Sequence, residues 1–307
     1  MGSGVGESLA SRRGMLEPCS RSAVGLPAPV LRVLVSHYAG FCARDLTPGT
    51  HAGLPSRHVH LIISLRAPVE ILQMPNSTQG AGRFTAFVCG LQEAPALVRR
   101  DGSVELLHVF LEPVGTRALL GVSAAELASR VFALADLWGR RRSDELVGRL
   151  SEASSWQGRF DVLDEIFTRT LTVIERPARL VRIWQDLAAN GRVPIDELAR
   201  RTGWSRQHLA AAFRLEFGVT PGTARRIFRF EHACRLIKRA RPRLADVAAA
   251  CGYHDQAHMI HDWNALAGCA PRAWIANELP FLQDYELAGW DDDTVPEHER
   301  DIHAEAE

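Results

Sequence analysis

The chain lacks a net charge, a paired-cysteine motif and a long apolar run, and each absence narrows what it can be. Its 36 Lys+Arg are matched by 36 Asp+Glu over 307 residues, so the net charge by itself says nothing about nucleic acid. The six cysteines, Cys19, Cys42, Cys89, Cys234, Cys251 and Cys269, include no C-x-x-C spacing. That usage is expected of a reduced, cytoplasmic protein and not of a disulfide-stapled secreted one. No secretory leader is expected, and no stretch approaches the ~18 apolar residues that a membrane-spanning helix needs. Gly80-Ala81-Gly82 is followed neither by a third glycine nor by Lys-Ser/Thr, so it is no phosphate-cradling loop. Ser36 and Ser64 lack the glycines of a nucleophile elbow. Neither an enzymatic activity nor a cofactor is expected.

What the chain does have is one pattern written twice between Ile195 and Trp274. Leu198 and Val247, Ala199 and Ala248, and Gly203 and Gly252 each stand 49 positions apart. After the glycine the offset becomes 50, matching Leu209 with Met259, Phe213 with Trp263, Gly218 with Gly268 and Pro221 with Pro271. The second copy thus carries one extra turn residue. In the first copy Ile195, Leu198 and Ala199 make the i, i+3, i+4 stripe of a short helix, and Gly203 stops it. Ser205 is an N-cap for a second helix with Leu209, Phe213 and Phe217 inward. The second copy turns Met259, Trp263 and Leu266 inward. Each copy reads as a helix-turn-helix. The helix-compatible stretch from Ala224 to Arg239 joins them and carries six basic residues.

The motif Asp246-Val247-Ala248-Ala249-Ala250-Cys251-Gly252-Tyr253-His254-Asp255-Gln256-Ala257-His258-Met259, followed by Ala267-Gly268-Cys269-Ala270-Pro271, resembles that of AraC/XylS-type transcription regulators. The likeness covers about Pro177 to Leu279 and implies an all-α DNA-binding domain whose two recognition helices enter successive major grooves of double-stranded DNA. Positions matching the family's base readers are Arg206, Gln207, Ala210 and Ala211 in the first helix and Gln256, Ala257, Ile260 and His261 in the second. Ser205, Arg214, Arg225, Arg229 and Asn264 are candidates for the DNA backbone. The chain departs from the family in having His261 and Asn264 where a basic pair is common, and Ala210 and Ala211 where polar readers are frequent. Alanine and isoleucine can still meet a thymine methyl, and glutamine can pair with an adenine edge. Charge distribution agrees with this reading. Residues 177–275 hold 16 Lys+Arg against 8 Asp+Glu, a surplus of eight balanced by an equal deficit elsewhere.

The front half is α+β in order. Short β-branched or aromatic runs at Val30 to Tyr38, His58 to Leu65, Val69 to Leu72, Phe84 to Cys89, Ala96 to Val98 and Val104 to Leu111 read as strands. Thr47-Pro48-Gly49, Pro75-Asn76-Ser77 and Arg100-Asp101-Gly102-Ser103 are expected to break them, with Asp101-Gly102 as a hairpin turn. Helices follow: one opened by the capping box Ser123 to Glu126 and carrying Leu127, Val131, Leu134 and Leu137 or Trp138, one from about Ser143 to Ser151, and one from about Trp156 to Ile174. This half resembles the sensing and dimerising halves of the family, which implies a small-molecule effector, a homodimer and, in an activator, RNA polymerase as partner. The expected organisation is a disordered leader at 1–25, an effector domain at 26–175, the DNA-binding domain at 177–280 and an acidic disordered tail at 290–307. Translation starting at Met15 is compatible with that leader.

His58 and His60 share one strand face, and His37, His51 or Glu70 could complete a metal site, but no third ligand has diagnostic spacing and no metal is expected. Two rivals of another class remain. A DNA-repair methyltransferase-regulator needs clustered, zinc-held cysteines, whereas this half has only Cys19, Cys42 and Cys89, far apart. A small-molecule enzyme tethered to DNA would be told apart by turnover.

Overall fold

The computed structural model describes residues 22–172, 177–189, 193–240 and 242–277. The expected leader up to residue 21, with Met15 and Cys19, and the acidic tail lie outside the described residues. The strand Ser22–Gly25 falls inside the stretch expected as leader.

The front half is an eight-stranded sheet of β1 (Ser22–Gly25), β2 (Val35–Gly53), β3 (Val59–Ser64), β4 (Val69–Gln73), β5 (Gly82–Phe84), β6 (Ala86–Cys89), β7 (Ala96–Leu111) and β8 (Val131–Ala133). The order is β1-β2-β7-β3-β6-β8, with β4 pairing β5 and β7. Alternation along the central strands decides the two faces. Leu107, Val109 and Leu111 of β7 and Val59, Leu61 and Ile63 of β3 are fully buried, in one core with Trp156, Phe160, Leu163 and Phe167. The opposite face carries His60, His108 and Phe110.

Two sequence expectations fail here for one reason. Thr47-Pro48-Gly49 and Arg100-Asp101-Gly102-Ser103 do not end strands but lie within β2 and β7, which pair along their length with Leu46 opposite Gly102. The register shifts between Ala43 and Leu46 and again between Leu46 and Gly49. At such bulges an extra residue leaves the ladder, so proline's missing donor and Gly102's left-handed φ of 60° are absorbed without a hairpin.

The helices of the front half are α1 (Thr116–Leu120), α2 (Ala124–Leu127), α3 (Leu134–Trp138), α4 (Arg140–Glu152) and α5 (Trp156–Thr170). The capping box forms: Ser123 Oγ accepts the Glu126 N–H at 3.2 Å, and Glu126 Oε2 accepts the Ser123 N–H at 2.8 Å. The single helix expected beyond it does not. β-branched and aromatic residues at Val131 and Phe132 instead pair with β6, with Cys89 opposite Val131 and Phe87 opposite Ala133. α5 is fastened to the sheet by Tyr38, whose hydroxyl donates to Asp164 Oδ1 at 2.7 Å, and by the Arg159–Glu105 pair at 2.6 Å.

The back half is all-helical: α6 (Ala178–Ala189), α7 (Ile195–Thr202), α8 (Arg206–Phe217), α9 (Pro221–Ala240), α10 (Leu244–Ala250), α11 (Gln256–Ala267) and α12 (Pro271–Asn277). α9 is the shared spine. Its Phe228 meets Trp184 of α6 edge-on at 5.0 Å, and its Phe230 meets Trp263 of α11 at 4.9 Å. Neighbouring residues of one helix thus anchor the two helix-turn-helix units, each aromatic side chain contributing roughly 1.5–3 kcal/mol by its burial. The halves are packed together. Gly218, at φ 76°, sits so close to α2 that a Cβ there would lie 2.3 Å from the Ala128 Cβ.

Candidate nucleic-acid interface

Both units are built by the same local chemistry. α7 ends at Gly203 with φ 69°, and Gly252 after α10 has φ 71°. The left-handed conformation turns the chain sharply, and glycine adopts it without strain. The next helix is then N-capped in each unit: Ser205 Oγ accepts the His208 N–H at 3.1 Å, and Asp255 Oδ1 accepts the His258 N–H at 2.7 Å. An aromatic–imidazole pair recurs beside each cap, Trp204 with His208 at 4.7 Å and Tyr253 with His258 at 5.4 Å. The inward stripes are fully buried, as Leu209, Phe213 and Phe217 and as Met259, Trp263 and Leu266.

The outward faces of α8 and α11 carry the residues singled out from the sequence. Arg206, Gln207 and Ala211 are exposed and Ala210 is half-buried; Gln256, Ala257 and His261 are exposed and Ile260 is half-buried. Arg206 pairs with Asp196 of α7 at 3.1 Å, both side chains largely in water. Exchanging that partner for a guanine edge or a phosphate has little to overcome. Arg214 and Asn264 are exposed on the same helices. The Ser205 oxygen is engaged as the N-cap acceptor.

The linker-helix arginines are not equivalent. Arg229 is turned inward. Its guanidinium donates to Asp262 Oδ2 at 3.2 Å and to the Gly252 carbonyl at 3.3 Å, and it lies over the Tyr253 ring at 4.4 Å. With 12% of its side chain exposed, it is engaged in joining α9 to α11. The helix period that placed it beside Arg225 could not show which of the two faces a buried carboxylate. Arg225 is half-buried, and burial together with the neighbouring Arg229 charge lowers its pKa. Asp262 is the residue the sequence reading missed, since an aspartate in a polar recognition helix looks like solvent-facing charge. It also faces Arg226 at 3.8 Å and His258 at 3.9 Å.

On the other half, His37, His60 and Phe110 stand in register across β2, β7 and β3. His37 stacks on Phe110 at 4.0 Å, with His60 at 4.9 Å and His58 at 5.7 Å edge-on. His58 Nε2 is 3.4 Å from Glu112 Oε1. Burial, then His58 and the other imidazoles, hold the His60 pKa well below its usual value, and burial with His51 pushes His108 down to about 4. Glu70, the acidic candidate for that cluster, is instead paired with Arg99 at 3.0 Å. Among the described residues no three His, Cys, Asp or Glu side chains converge as a metal-holding group, and no helix is long and apolar enough to cross a membrane.

Two helices N-capped alike and offering matched polar faces from one spine form a double helix-turn-helix DNA-binding domain. Comparison with known proteins agrees. Residues 198–277 match a family described as a helix-turn-helix domain, and residues 24–133 match a domain of unknown function (DUF6597). An uncharacterized HTH-type transcriptional regulator, YbfI of Bacillus subtilis (strain 168), is 34% identical over 67 residues, 22% of this chain. That match spans only 24% of the relative's length. Among solved structures, ToxT from Vibrio cholerae superposes over 78% of this chain and 97% of its own with 9% identity and a TM-score of 0.50. Another ToxT structure covers 78% and 98% with 10% identity and a TM-score of 0.49. Residues 198–277 thus belong to a helix-turn-helix domain, which follows a front half of strands and then helices.

Proposed function

We propose that the protein is a cytoplasmic, sequence-specific regulator that reads two adjacent major grooves, with Arg206, Gln207, Ala210 and Ala211 in one and Gln256, Ala257, Ile260 and His261 in the other. The observation that carries this is the equivalence of α8 and α11: each is N-capped, 12 residues long, exposed or half-buried along its reading face and held by its inner face to the same helix. Arg214, Asn264 and the partly buried Arg225 are the candidates for phosphate contact, while Ser205 serves first as a cap. A small-molecule effector acts on the front half, and the imidazole-lined face around Phe110 supports that reading because neutral imidazoles offer both donors and acceptors to a polar ligand. The regulator works as a homodimer joined through that half and, as an activator, engages RNA polymerase. Selection of bound duplexes from random DNA, with and without a metabolite extract, tests this. A two-block consensus that Gln256→Ala relaxes at one or two positions is expected; an unchanged consensus for that variant refutes the base-reading assignment.

A further inference from the structure

We propose that Arg57, in the effector half, is a positioning residue for DNA reading: it holds the linker helix α9 and so sets the spacing between DNA blocks that the protein accepts. This rests on the two-groove reading above. Arg57 lies in the connection between β2 and β3 and takes both oxygens of Glu231 on α9. Its backbone N–H donates to Oε1 at 2.8 Å and its Nε donates to Oε2 at 2.6 Å. A carboxylate held at both oxygens by one residue has no freedom to swing. Only 12% and 19% of the two side chains are exposed, so salt screens the pair weakly. The same guanidinium lies 5.2 Å from the centre of the Phe228 ring.

The position of this grip along α9 matters. Phe228 anchors the first unit through Trp184, and Phe230 anchors the second through Trp263. Arg57 therefore holds α9 at residues 228 and 231, across the point where the two units diverge. The helix fixes their distance, and Arg229 with Asp262 joins the second unit to it; contacts from the effector half add to what sets the angle between the two units. The effector half supplies two further supports. Gly218 at the end of α8 rests against Ala125 and Ala128, and Glu93 faces Arg226, itself beside Asp262 of α11, at 3.9 Å. Of these contacts, the Arg57–Glu231 pair is the one that combines short bonds with burial. His58, next in the chain, faces Glu112 and the imidazole cluster, which ties the grip to the sheet.

The test uses the full chain and a duplex that it selects from a random pool, together with versions carrying one or two base pairs inserted or removed between the blocks and a version with one block alone. The wild-type chain should prefer the parent spacing by at least about tenfold, in the range typical of coupled sites. Arg57→Ala and Glu231→Ala should each lower that preference to roughly threefold or less, with one-block affinity unchanged, and the double variant should do no more than either alone because the two residues act as one pair. Arg57→Lys, which keeps a cation, and Glu231→Gln, which keeps an acceptor for the backbone N–H of residue 57, should retain part of the preference. One-block binding reports that each variant's DNA-binding half is folded. A spacing preference unmoved in Arg57→Ala, or single effects that add in the double variant, overturns the assignment of Arg57 alone. A wild-type chain indifferent to spacing overturns the two-groove reading and the Arg57 assignment together.

Discussion

Arg229 on the linker helix and Asp262 on the second recognition helix face each other at 3.2 Å, with 12% and 8% of their side chains exposed. An aspartate in the middle of a DNA-facing helix would repel phosphate if it pointed outward. Turned inward, it is neutralised by Arg229 and Arg226 and locks α11 against the spine.

Removing either partner should therefore act on stability before it acts on DNA. Asp262→Ala leaves the mostly buried Arg229 guanidinium without its carboxylate, beside the Gly252 carbonyl and the Tyr253 ring, and breaking such a pair costs on the order of 3–5 kcal/mol. Urea unfolding of the full chain should show the loss. Asp262→Asn, which keeps an acceptor, should lose less. Full stability in Asp262→Ala would mean the pair is solvated.

Salt dependence should separate the arginines. If Arg214 or Arg225 meets phosphate, its replacement by alanine weakens binding on every sequence and lowers the salt slope by about one per lost contact. Arg229→Ala should weaken binding with the slope unchanged, since that side chain is occupied inside the protein. Binding isotherms between low and moderate salt measure both slopes, and a reduced slope for Arg229→Ala would restore it as a phosphate contact.

Base reading should be local. Gln256→Ala and Arg206→Ala should each cost about 1–3 kcal/mol on the selected site and relax the preference at one or two base pairs. The Arg206 loss is offset slightly by freeing Asp196 from its surface pair, an effect near the bottom of that range. Competition with single-base variants of the site gives the answer; a uniform loss across all of them would move these residues to the backbone group.

The two reading helices should protect two short blocks about 10 base pairs apart on one face of the duplex. Inserting five base pairs turns one block to the opposite face, and affinity should fall to that of one block. Footprinting and titration of the inserted duplex check this. Parent-like affinity there would mean that only one unit reads DNA.

Acid should weaken the front half. His60 and His108 have folded pKa values below the unfolded value of about 6.5, with His108 pushed down to about 4. Above pH ~6.5 neither state binds the proton and these groups add no pH dependence. Below it the unfolded chain takes up protons that the folded chain refuses, so stability is lost as pH falls toward 4, by up to roughly 1.4 kcal/mol per pH unit for each imidazole. Unfolding midpoints from pH 7.5 to 5 should fall, and His108→Gln should flatten part of the slope. An equally steep slope in that variant would assign the acid sensitivity elsewhere.

The back half was legible because its instructions are local. A glycine in the left-handed conformation, an N-cap two or three residues on, and an apolar stripe every three or four residues are all written within a dozen positions, twice. The front half was harder. Asp101-Gly102 and Thr47-Pro48-Gly49 carry strong local turn signals, yet β2 and β7 override them through bulges, because ladder pairing on both sides of each bulge outweighs the local preference. Val131 sits on the expected helical stripe, yet with Phe132 it forms a strand because β6 offers an edge.

By itself the sequence determined the number of helix-turn-helix units, the inward and outward faces of their reading helices, and the basic character of the half that holds them, since these depend on period, capping and charge alone. Only the tertiary structure decided which outward-looking residues are free to meet DNA. Arg229 and Asp262 are 33 positions apart, and Arg57 and Glu231 are 174 apart. No short-range pattern brings such residues together; their pairing follows from the packing of α11 on α9 and of the sheet's β2–β3 connection on that same helix. Buried charges must find partners wherever the fold places them, and that placement is a property of the whole chain.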